Sequence, residues 1–202
     1  MLSESVLPVL FFLIALLYAS VGHGGASGYI ALLVIAGFGQ SLIRPCALSL
    51  NIIVSLIATL QYRREGHFRK ELFLPFIITS VPFAFLGARI PLTDSLFKVL
   101  LAGCLLVATG RILIKSKQSV GAVKSIPPAL AAAIGAAIGL ISGMVGIGGG
   151  ILLSPVLLIG RWSTVREAAA VAAPFILVNS LAAAASVPSS FMNLRYAQVA
   201  IW

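Results

Sequence analysis

The sequence predicts an all-α integral membrane protein, a polytopic helical bundle, on three observations. Of its 202 residues 60% are hydrophobic and only 9% are charged, too little charge to clothe a water-facing surface. Runs such as 6–21 and 96–114 are apolar almost all round rather than striped, close to the ~20 residues with which a helix crosses ~30 Å of hydrocarbon. The 14 Lys and Arg gather between or at the ends of these runs, as topology signals do, so the net charge of +9 is not the footprint of a nucleic-acid partner. The lipid bilayer is the expected solvent, and no nucleic acid is expected.

Gly, Pro and charge divide the chain into apolar segments near 5–21, 25–38, 43–62, 71–90, 96–114, 127–145, 148–160 and 165–187. The first has Glu4 where a secretory signal would carry basic residues and lacks a small-residue cleavage site, so it reads as a retained span. Segments 25–38 and 148–160 are too short to cross and read as half-helices or re-entrant pieces, each giving ~20 Å of helix. Cys46 and Cys104 lie inside apolar runs and read as small buried hydrophobes.

Arg63, Arg64, Arg69 and Lys70 crowd one connection, and Arg111, Lys115, Lys117 and Lys124 another. Two spans separate them, so both face the cytoplasm, and alternation then places the N-terminus outside a cell (inner) membrane. Ten of the 14 basic residues fall inside under this orientation, leaving Arg44, Arg89, Lys98 and Arg195 outside.

Long-range self-similarity is the most informative feature. Val21-Gly-His-Gly-Gly25 matches Val145-Gly-Ile-Gly-Gly149, 124 residues later, and each copy closes a full-length segment and opens a short one. Arg44 then corresponds to Arg166, and Val54-Ser-Leu56 to Asn179-Ser-Leu181. An odd number of segments separates equivalent points, so the second copy enters from the opposite side. The bundle is therefore expected to hold two inverted-topology repeats, 1–125 and 126–202, each containing a broken or re-entrant helix, as secondary transporters do.

The strings YASVGHGGASGYIALL and GLISGMVGIGGGILLSPVLL, each followed by an Arg-containing turn and a further span, resemble the paired glycine signatures of the sulfite exporter TauE/SafE family of permeases. The resemblance spans essentially the whole chain and implies a membrane permease for sulfite or related small organosulfur anions. The first copy departs from the pattern, with Ala26, Ser27 and Gly28 against Gly150, Ile151 and Leu152, and no counterpart of Pro155 near Ala31. Two 124-residue copies would need about 248 residues, 46 more than the chain has, so an unfinished second repeat with two further spans is expected.

Glycine serves two purposes here. Gly135, Gly139 and Gly143, four residues apart, suit close helix packing. Gly22, Gly24 and Gly25, and Gly146, Gly148, Gly149 and Gly150, are too closely spaced for a packing stripe and sit where a helix must break. A break frees N–H groups at the start of the next half-helix, where the dipole adds positive charge, and an anion is a fitting partner. No Lys or Arg lies in the middle of a span, so a midplane anion would be held by backbone N–H groups and neutral side chains. His23, Ser27, Asn51 and Asn179 are the candidates. Each Asn reads equally as interhelical glue, and His23 either as carrier of a coupled proton or as a structural donor to freed backbone.

The substrate-binding set is therefore Gly22, His23, Gly24, Gly25, Ser27, Asn51, Gly146, Gly148, Gly149, Gly150 and Asn179, around a small anionic substrate. No cofactor, metal or enzymatic activity is expected. Gly25-Ala-Ser-Gly28 fits the G-x-S-G string of rhomboid proteases, but no downstream span carries a histidine to act as base. A P-loop or dinucleotide fold fails for want of a following Lys-Ser/Thr and of flanking strands. A non-transporting membrane assembly subunit is the remaining alternative, and His67, among cytoplasmic basic residues, is given no role.

Overall fold

The structure, a computed structural model, describes residues 6–20, 25–113 and 125–188. These form eight α-helices and no strand: α1 (Val6–Ser20), α2 (Ala26–Ile35), α3 (Gln40–Arg64), α4 (Lys70–Arg89), α5 (Asp94–Leu113), α6 (Pro128–Val145), α7 (Gly150–Ile159) and α8 (Val165–Ser186). Each falls on one of the eight apolar segments. Among the described residues α3, α4, α6 and α8 are long and apolar enough to cross a membrane. The ten residues of α2 and of α7 reach only ~15 Å, half the hydrocarbon thickness.

The centre of the bundle is α8, whose residues are buried on nearly every face. Around it the helices are inverted relative to a soluble fold. On α3, Ile53, Leu56, Ile57 and Leu60 are exposed, at the spacing that lines one helix face, while Asn51 and Ser55 are buried on another. Apolar exposure of this kind, repeated at Phe12 and Leu16 of α1 and Ile78 of α4, is what a lipid-facing shell requires.

The closest contact joins α4 and α6, and glycine makes it. A Cβ at Gly135, Gly139 or Gly143 would run into the carbonyl oxygens of Phe76, Ser80 and Ala84 respectively, and one at Gly87 into that of Leu140. The four-residue stripe is thus a packing face, and its register makes the two helices parallel, with Phe76 beside Gly135 and Ala84 beside Gly143. Thr79 Oγ1 donates to the Ala132 carbonyl at 2.7 Å across the same interface.

Two further contacts fix the direction of α8. At one end Arg69 pairs with Glu167 at 3.5 Å, and Thr164 and Glu167 close a capping box on the first turn. At the other end Val187, just past α8, lines a cleft with Ser41 and Arg44 from the start of α3. Helices α3 and α8 therefore run antiparallel. Both cysteines are free, Cys104 buried and Cys46 half-buried.

Candidate anion site at the second glycine break

Three glycines in left-handed backbone turn the chain from α6 into α7. Gly146 (φ 85) ends α6, its N–H and that of Ile147 both donating to Ser142 O, at 2.7 and 3.2 Å. Gly148 (φ 69) and Gly149 (φ 82) follow, and Gly149 is the N-cap of α7. L-residues with a side chain avoid this region by ~1–2 kcal/mol each, so the dense glycine spacing answers a backbone demand. Hydrogen bonds resume with Leu152 N and Leu153 N donating to Gly149 O, at 3.0 Å each. The amides of Gly148 to Ile151 donate to no other described residue, as expected of the first turn of a helix without a side-chain cap.

Polar side chains converge on that turn. A Cβ at Gly148 would lie 2.7 Å from Ser180 Oγ, 2.8 Å from Ile176 Cγ2 and 3.1 Å from Asn51 Nδ2, so the α-carbon packs directly against α3 and α8. Ile176 and Ser180, four apart, share one face of α8. Asn179, one position back, points instead at α4, where its Oδ1 accepts from Ser80 Oγ at 2.9 Å.

These groups are buried and largely unpartnered. Asn51, Asn179 and Ser180 are 0%, 1% and 0% exposed. Both amide atoms of Asn51, the Nδ2 of Asn179 and the Oγ of Ser180 have no hydrogen-bond partner among the described residues. An unsatisfied buried polar atom costs about 1–3 kcal/mol, and three of these four, on Asn51 and Ser180, belong to side chains that meet the uncapped start of α7, which makes it a candidate ligand site. The set is rich in N–H and O–H donors and holds no carboxylate and no fixed cation, which suits a small anion with several acceptor oxygens.

The predicted residues distribute unevenly over this geometry. Gly148 and Asn51 meet at the start of α7, whereas Asn179 faces Ser80 on α4. Gly149 packs against Ile138 and Phe175, Gly150 against Ile176, and Gly146 against Arg44. Gly25 repeats the conformation of Gly149, a left-handed N-cap (φ 85) of a ten-residue helix, with Tyr29 as its nearest neighbour. Ser27 is buried and donates from Oγ to Tyr18 Oη at 3.1 Å. Gly22, His23 and Gly24 lie outside the described residues.

Ser180 and Ser80 escaped the sequence reading, although Ser180 stands inside the very string, Asn179-Ser-Leu181, that marked the repeat. Arg44 was assigned to a segment edge. The structure starts α3 at Gln40, which puts Arg44 on the helix, with Nη2 donating to Ala88 O at 2.9 Å and Gly143 O at 3.0 Å.

Residues 7–201 match the family model described as Sulfite exporter TauE/SafE. The chain is also 40% identical, over 181 residues, to the probable membrane transporter protein y4hK of Sinorhizobium fredii, a match covering 88% of this chain and 73% of that relative. No solved structure matches it. The membrane-crossing helices, the glycine break between α6 and α7 and a family match over nearly the whole chain agree: this chain belongs to the sulfite exporter TauE/SafE family of membrane transporters and is not an enzyme.

Proposed function

We propose that the protein is a secondary permease of the cell (inner) membrane that moves a small anion, sulfite or a related organosulfur anion, through a site near the bilayer midplane between its two glycine breaks. The observation that carries this reading is the pair of buried, unpartnered side chains, Asn51 and Ser180, at the uncapped start of α7, with the free Nδ2 of Asn179 one position along α8. Asn51 stands near the middle of the 25-residue α3, which is the depth at which transporter sites form.

The inverted repeat belongs to the same proposal. Supporting it, α2 and α7 have equal length, both follow a left-handed glycine, Gly25 and Gly149, 124 residues apart, and both lead into a long helix. Those long helices, α3 and α8, run antiparallel, as inversion demands. The orientation with the N-terminus outside is supported by the Arg69–Glu167 contact, which gathers the connection bearing Arg63, Arg64, Arg69 and Lys70 with Arg161 and Arg166 at one end.

The test is flux into proteoliposomes of the purified protein, with labelled sulfite offered against unlabelled sulfonates, sulfate, chloride and a neutral amino acid. Sulfite and small sulfonates are expected to compete, and Asn51→Leu and Ser180→Ala are expected to lower uptake at least tenfold with insertion unchanged. Uptake of a cation or of the neutral amino acid, with none of sulfite or sulfonates, would defeat the proposal.

A further inference from the structure

We infer that the Arg44 cleft, at the end of the bundle where α3 begins and α4, α6 and α8 end, is a second anion-binding site: a vestibule that gathers an oxyanion before it reaches the cluster at Gly148. The cleft holds about 190 Å³ and is lined by Ser41, Arg44, Pro45, Leu48, Pro91 and Val187, among others. Among the described residues Arg44 is its only charged lining residue. Two donor contacts of its Nη2 are taken by Ala88 O and Gly143 O, which tether the guanidinium to the ends of α4 and α6. Its Nε–H and Nη1–H₂ groups donate to no other described residue and, with the charge of the guanidinium, remain to meet an oxyanion.

Position supports the assignment. Arg44 and Asn51 are seven residues apart on α3, two turns on one face, so the cleft lies ~10 Å along the helix from the donor cluster. Gly146, which opens the break, packs directly on Arg44, so the same turn of chain touches both places. The charges around this end favour an anion: Arg89 lies in the last turn of α4 and Lys98 near the start of α5, against, among the described residues of α4 and α5 at this end, one acid, Asp94.

Charge-selective labelling of Ser41→Cys tests this, in protein carrying Cys46→Ser and Cys104→Ser. The purified protein in detergent is treated with either sulfonatoethyl or trimethylammonioethyl methanethiosulfonate, and rates are normalised to those of a free thiol. The readout needs neither transport nor a known orientation, so its failure is separable from failure of the proposed function. The sulfonate reagent should be favoured about tenfold, as expected for one attracted and one repelled unit charge at ~7 Å in a water-like dielectric. Arg44→Gln should bring the ratio to about one. Because Arg44→Gln also frees two helix carbonyls, Val187→Asp is the second variant: it leaves the tether intact and should lower the ratio about tenfold. Sodium sulfate should slow labelling at least twofold against chloride of equal ionic strength. A normalised ratio near one in the starting protein, no response to Val187→Asp, or equal rates in the two salts would each overturn the inference.

Discussion

Alanine at Gly148 is expected to abolish transport while leaving an inserted, folded protein. Two costs arise, and the structure separates them. The first is backbone strain, since a φ of 69 disfavours any side chain by ~1–2 kcal/mol. The second is occlusion: the new Cβ would sit 2.7 Å from Ser180 Oγ and 3.1 Å from Asn51 Nδ2, at the point where the donors converge. Displacing an anion from two such donors forfeits charge-assisted hydrogen bonds of about 1.5–3 kcal/mol each, a loss of a hundredfold or more in flux at limiting substrate. Gly66→Ala is the control, because Gly66 has a similar φ of 74 with nothing within 4 Å of an added Cβ. It bears the strain without the occlusion and should transport at the parental rate. Labelled sulfite uptake into proteoliposomes, scaled to inserted protein, reads both. Parental flux through Gly148→Ala, or equal losses in the two variants, would refute the reasoning.

Asn179→Leu removes the unpartnered Nδ2 and strands the Ser80 hydroxyl; sulfite uptake should fall tenfold or more, and an unchanged rate would remove Asn179 from the proposed site. Gly139→Ala drives a Cβ into the Ser80 backbone and should destabilise by about 1–3 kcal/mol, whereas Gly103→Ala, with nothing within 4 Å, should leave the melting temperature in detergent unchanged. Thr164→Ala breaks the α8 capping box and should cost ~1 kcal/mol, more than Arg69→Gln, whose long, partly exposed pair with Glu167 is worth well under that; denaturation in micelles ranks the two. Of cysteines placed at Ser3 and Gln118, an impermeant maleimide on intact cells should label the one at Ser3 alone, and the reverse pattern would invert the orientation.

The bundle was legible in the sequence because a bilayer dictates segment length and composition directly. All eight helices lie within three residues of their segments. The largest error at a helix start, at α3, has a local cause: the polar Gln40 and Ser41 read as a connection, yet Gly39 in extended backbone starts the helix ahead of them. That error left Arg44 at the edge of its segment. The serines of the site were hidden differently. A serine in an apolar helix usually donates back to its own helix, as Ser49 does to Pro45 O, Ser55 to Asn51 O and Ser186 to Ala183 O. Nothing in the residue type distinguishes Ser180, whose hydroxyl makes no such bond; only its neighbours on α3 and α7 do. Glycine was more legible, because its two uses demand different spacings, four for the α6 stripe and one or two for the break.

A site of neutral donors also suits the proposed cycle better than a fixed cation would. Alternating access requires the site to be empty once per turnover. A buried guanidinium without its anion is then an uncompensated charge, costing several kcal/mol, whereas unfilled amide and hydroxyl donors cost about 1–3 kcal/mol each and can accept water. In the loaded state, three or four charge-assisted bonds supply a gross ~5–10 kcal/mol, from which desolvation and ordering subtract. The remainder lies in the range of millimolar to micromolar binding, weak enough for release. A cation two turns away, tied by Nη2 to the carbonyls of Ala88 and Gly143, keeps a stable partner whether or not an anion is present. Arg44 can therefore draw the anion toward Asn51 without trapping it there.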